Sequence, residues 1–133
     1  MQRPFAARFS HAGPDFKGSP QRIYEALLDS NKFSSFSAEP AQIDRSAGGG
    51  FSMFGGKIVG RNIELIANQR IVQAWRPASW DPGVYSVVKF ELTLRGADTR
   101  VLLDHTGFPQ DAYAHLNTGC KLQYWEPLAK FLT

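Results

Sequence analysis

The chain has 133 residues, enough for one compact domain and short of two. Hydrophobic residues make up 43% and charged residues 20%, which argues against disorder. The longest uninterrupted apolar run is three residues, as at Val101-Leu102-Leu103, so neither a membrane span nor the apolar core of a secretory signal is expected. Fifteen Lys+Arg against twelve Asp+Glu give +3. These charges are dispersed, and aromatics do not interleave with them in a repeating way, so no nucleic-acid partner is expected. One cysteine excludes an internal disulfide framework and a Cys-cluster zinc site. The expectation is a single soluble, cytoplasmic domain over residues 1–133.

In chain order, Phe5 to Lys17 is mixed, with strand-like pieces and Gly13-Pro14 inside it. Proline cannot donate to a ladder, so any strand here is an edge or a bulged one. Ser19-Pro20 marks a helix start, with Ser19 as the cap and Pro20 at the first helical position. Ile23, Ala26 and Leu27 follow at helical spacing. Asp29-Ser30-Asn31 breaks that helix and caps a second short one through Phe33 and Phe36.

From residue 40 the pattern becomes strands. Ala41 to Ser46 is short and extended. Phe51 to Phe54 and Lys57 to Ile66 are joined by a tight Gly55-Gly56 turn, where glycine supplies positive φ without strain. Arg70 to Arg76 returns after Asn68-Gln69. Val84 to Leu94 alternates most cleanly. Ser86, Val88, Phe90, Leu92 and Leu94 share one face, and Lys89, Glu91 and Thr93 the other. Gly96-Ala97-Asp98 turns the chain into a strand where Thr99, Val101, Leu103 and His105 share a face. Asp104 points the other way.

Pro109 ends the sheet. Asp111 to Leu132 then has a helical stripe of Leu116, Cys120, Tyr124, Leu128 and Phe131. Pro127 should kink that helix one turn before its end. The order is strand, two short helices, six antiparallel strands and a long C-terminal helix. A one-sided meander must bury its dry face, and the last helix is the element long enough to cover it. The fold class is α+β: a curved antiparallel sheet wrapped around a C-terminal helix, with space between them for a ligand.

That order, with particular residues, resembles the SRPBCC (START-like, helix-grip) superfamily. Within it the similarity is to homologues of the activator of heat shock protein 90 ATPase. It is carried by Ile23-Tyr24-Glu25-Ala26-Leu27, Gly49-Gly50-Phe51-Ser52-Met53-Phe54-Gly55-Gly56 and Ile71-Val72-Gln73-Ala74-Trp75 with Ser79-Trp80. Further on come Thr99-x-Val101-x-Leu103-x-His105-x-Gly107 and Tyr124-Trp125-x-Pro127-Leu128. One departure is Gly119-Cys120, where the family usually has Gly-Trp. The resemblance implies a helix-grip fold, and for some members a role in stimulating a chaperone ATPase and in the stress response. The wider superfamily includes lipid binders and cyclases, and fold alone does not choose among them.

His105 is the best single candidate for chemistry, because its alternation aims it at the dry side of the sheet. There it either anchors a polar ligand atom or moves a proton, or it is a core histidine satisfied by one hydrogen bond. Val88, Phe90, Val101, Leu103, Tyr124 and Leu128 are the expected cavity walls. Trp75 and Trp80 flank a Pro-containing loop and form either a cavity rim or a cover for the sheet end. Gly50 to Lys57 fails as a phosphate loop, because Ile58 stands where Ser or Thr is needed and no helix follows. His11, His105, His115 and Cys120 lack metal-ligand spacing, and Cys120 on the stripe reads as a small buried hydrophobe. No catalytic residue, metal or cofactor is assigned.

Three readings follow. The first is a non-enzymatic binding protein for a hydrophobic, lipid-like small molecule. The second is an interaction module for a chaperone of the heat shock protein 90 class, acting through its outer sheet face or loops. The third is a cyclase- or hydrolase-type enzyme, which needs a second ionisable group beside His105.

Overall fold

The computed structural model describes residues 7–108, 116 and 119–132. The first described element is β1 (Ala7–Lys17), followed by α1 (Pro20–Leu28) and α2 (Ser30–Ser37). Strands β2 (Gln42–Ile43), β3 (Gly50–Met53), β4 (Ile58–Ile66), β5 (Arg70–Pro77), β6 (Ser86–Arg95) and β7 (Asp98–Phe108) come next. A π-helical turn, Cys120–Trp125, leads into α3 (Glu126–Leu132). The helix expected from Asp111 is thus present at residues 116 and 119–132, and the rest of that expectation lies outside the described residues.

The strands make one antiparallel sheet in the order β1-β7-β6-β5-β4-β3-β2. β1 is an edge strand, and its register against β7 shifts between Ala12 and Asp15, where Gly13-Pro14 sits. Both effects follow from the missing proline amide. β2 is shorter than the expected 41–46, since only two of its residues pair with β3. The Gly-Gly turn is also wider than expected. It runs over Phe54–Lys57, with φ of 55° at Phe54, 66° at Gly55 and 90° at Gly56. Phe54 tolerates this because its ring is buried, 5.2 Å from Phe33 and 5.4 Å from Tyr124 between centroids.

The helices start as their caps dictate. Ser19 Oγ accepts from the Arg22 amide at 3.4 Å, with Pro20 at the first helical position. Asp29 ends α1 and caps α2, its carboxylate accepting from the Lys32 amide at 2.9 Å. Pro127 has no N–H for the Gln123 carbonyl and crowds it. The chain answers by widening to π-helical winding just before it, so the expected kink is a change of winding. Arg22 Nη1 donates to the Leu132 carbonyl at 2.9 Å and ties α1 to the chain's last described turn.

Among the described residues, α1, α2 and α3 pack on the same side of the sheet. The core includes Ile23 and Leu27 of α1, Phe33 of α2, Leu128 of α3, and Ile71, Val88, Phe90, Val101 and Leu103 from the strands. One close approach is obligatory. A Cβ at Gly60 would run into the Ala74 carbonyl and the Phe51 ring, so β4 can cross under Phe51 only with glycine there.

Candidate functional site

The inner face of the sheet places His105 where alternation predicted. β7 buries Thr99, Val101, Leu103 and His105 and turns Arg100 to solvent, with Leu102 and Asp104 half-buried on the outward side. His105 Nε2 and Ser86 Oγ lie 2.7 Å apart, and both residues are 2% exposed or less. The register pairs His105 with Val88, so Ser86 reaches it diagonally from the adjacent strand. Two rings meet the imidazole edge-on, Trp75 at 5.4 Å and Phe108 at 4.9 Å. Burial disfavours the charged ring and pushes its pKa down to about 4. His105 is therefore neutral at pH 7.

A further polar chain crosses the same face. Trp75 Nε1 donates to Gln73 Oε1 at 2.8 Å, Gln73 Nε2 to Asn62 Oδ1 at 3.0 Å, and Asn62 Nδ2 to the Asp44 carbonyl at 2.9 Å. Asn62 and Gln73 are buried and face each other across β4 and β5. Each amide is thereby paired, which is the condition for tolerating it in a core. This chain of amides goes beyond the expectations above, although the alternation Ile71, Gln73, Trp75 puts Gln73 on the dry face.

Tyr124 fills the space between helix and sheet. Its ring stacks on Trp75 at 5.7 Å and meets Phe33, Phe54, Phe90 and Phe36 at 5.8, 5.4, 5.6 and 6.3 Å. Val88, Phe90, Val101, Leu103 and Leu128, the other expected walls, are all buried core residues. At these residues the walls pack within one core cluster. Trp75, expected at a rim, is only 5% exposed and lies inside. Trp80 is half-buried and packs against the core edge, while Arg76 donates to its carbonyl at 3.1 Å. Leu94, grouped with the dry face of β6, lies near the strand's end and is 59% exposed. The side chain of Cys120 lies outside the described residues.

Two other surfaces stand out. An open groove between α2 and α3 is lined by Phe36 and Phe131 together with Ser35, Glu126 and Lys130. On the outer sheet face, Arg70 pairs with Glu64 at 3.2 Å and Glu91 at 3.8 Å, while Lys89 pairs with Glu91 at 3.1 Å and Asp104 at 3.7 Å. This belt settles the orientation of Asp104, which faces away from His105. Among the described residues no three His, Cys, Asp or Glu stand together as a metal site would need, and no helix is long and apolar enough to cross a membrane.

A seven-stranded curved antiparallel sheet with its helices on one side defines the helix-grip class. The structure is similar to an HSP90 activator from Plasmodium falciparum, with a TM-score of 0.75 and 22% identity over 92% of this chain and 91% of that one. It is also similar to the Aha1 dimer from Colwellia psychrerythraea, with a TM-score of 0.71 and 21% identity over 90% of this chain and 98% of that one. The family described as Activator of Hsp90 ATPase homolog 1-like protein matches residues 17–133, and the chain belongs to it. A curated relative is the activator of 90 kDa heat shock protein ATPase homolog of Dictyostelium discoideum, 33% identical over 108 residues, or 80% of this chain. The chain spans about a third of the length of the curated relatives it matches, 28% of that one and 33% of a human homologue.

Proposed function

We propose that this domain is an interaction module that docks on a chaperone of the heat shock protein 90 class, a role that goes with a cytoplasmic location and the stress response. The observation that carries the reading is the family match over residues 17–133. The packing of the inner face supports it. Where the expected cavity walls are described they contact one another, which leaves the outer face and loops as the surfaces for work. The test is co-purification of the full chain with the source organism's chaperone of this class. Retention that disappears on outer-face substitutions is the expected result. No retention at any salt concentration sinks the reading.

A second reading is favoured by one feature, the buried pair of His105 and Ser86. In that reading the interior opens to take a small apolar molecule, with His105 as polar anchor between Val101, Leu103 and Val88 and with Trp75 and Trp80 toward the opening. Native mass spectrometry of gently purified protein tests it, since a bound apolar molecule shifts the mass. The cyclase or hydrolase reading has less support. The neighbours described for His105 include a hydroxyl and two aromatic rings, which suit packing better than proton transfer.

A further inference from the structure

We infer that the outer sheet face around Val59, Ala74, Tyr85 and Val87, with Arg61 and Arg76 beside them, is a docking surface for a protein partner whose matching surface is acidic and apolar. The inference rests on the docking reading above and names the surface and the partner's chemistry.

The ladder registers make the patch contiguous. Ala74 stands between Arg61 of β4 and Val87 of β6, and Val59 stands opposite Arg76. Tyr85 precedes β6 by one residue and is 49% exposed, and Val87 is 41% exposed. Alternation places Val87 opposite in sense to the buried Ser86 and Val88, which puts it on the outer face. A tyrosine beside arginines is the composition that anchors protein interfaces, because both present large contact area with donors attached.

The charges supply the direction. In the adjoining belt Arg70 and Lys89 are paired with Glu64, Glu91 and Asp104. Arg61 and Arg76 are treated differently. Arg61 Nη1 donates to the Gly48 carbonyl at 3.1 Å. Arg76 Nε and Nη2 donate to the Asp81 and Trp80 carbonyls at 3.3 and 3.1 Å. These acceptors are neutral, so each guanidinium is held in place with its charge uncompensated by a carboxylate among the described residues. A fixed guanidinium with donors to spare matches a carboxylate.

The test uses the full chain, isotope-labelled for amide NMR, and a short synthetic peptide that alternates Glu with Leu. A second peptide carries Lys in place of each Glu. The acidic peptide is expected to bind at least about tenfold more tightly than the basic one, with amide shifts centred on Val59, Ala74 and Val87. Arg61→Glu and Val87→Asp, each checked for an unchanged melting temperature, should abolish those shifts. Equal binding of both peptides, preference for an oligonucleotide, or shifts centred on Phe36 and Phe131 in the helix groove would overturn the surface assignment. Chaperone capture by the wild type and both variants alike would remove this surface while leaving the docking reading intact. Patch-specific peptide binding without any chaperone capture would do the reverse, and failure of both probes removes both.

Discussion

The two faces of one sheet follow opposite rules. On the inner face, His105, Ser86, Gln73 and Asn62 each find a partner within the core, and burial holds the imidazole neutral. On the outer face, Glu64, Arg70, Glu91, Lys89 and Asp104 pair with one another at the surface, and Tyr85 and Val87 stay uncovered. The lesson lies in where polar groups carry energy. A polar side chain inside costs much if its partner is lost, because water cannot replace it. The same loss outside costs little, because water and salt already compete with it.

The largest effect that would break this contrast is at Tyr124. Replacing it with alanine removes a ring that touches five others, and the loss should be about 3–5 kcal/mol of unfolding free energy by urea titration. A loss below about 1 kcal/mol would mean that the space between helix and sheet is loosely filled, and would move weight to the ligand-binding reading.

His105 gives the next effect. Its folded pKa of about 4 lies below the ordinary 6.5, so between those values the unfolded chain binds a proton that the folded chain does not. Stability is then full above pH 6.5 and falls as pH drops toward 4, by on the order of 3 kcal/mol. Denaturation at a series of pH values, with His105→Leu as reference, measures it. An unchanged slope in the variant would assign the acid sensitivity elsewhere.

Ser86→Ala removes the hydroxyl beside His105 and leaves a buried ring nitrogen short of that partner. The expected cost is about 1–3 kcal/mol, with a pKa for His105 that moves when followed by NMR. Smallest of all is the outer belt. Glu91→Gln breaks contacts to both Arg70 and Lys89, yet these side chains are 37–39% exposed, so the loss should stay below about 1 kcal/mol and shrink in high salt. A cost as large as that of Ser86→Ala would erase the distinction between the faces.

Much of the fold is legible without coordinates. The bulged edge strand follows from Gly13-Pro14, the two helix caps from Ser19-Pro20 and Asp29, and the inward aim of His105 from alternation alone. The candidate site is less legible. Trp75 looks like a rim residue from its place before a Pro-containing loop, but alternation with Ile71 and Gln73 carries it inside. Ser86 is assigned to the dry face from its own strand, whereas its meeting with His105 depends on a diagonal between two strands.

By itself, then, the amino-acid order determined which strands and helices follow one another, where α1 and α2 start, and the alternation that buries Ser86, Val88 and Phe90 of β6 and Val101, Leu103 and His105 of β7. Caps, proline and period-two alternation act over a few residues and need no distant partner. Only the tertiary structure decided that Tyr124 closes the interior, that Asn62 and Gln73 satisfy each other, and that Arg61 flanks Ala74 and Val87. Those contacts depend on inter-strand register and on how the last helix sits on the sheet, and residues far apart in sequence set both.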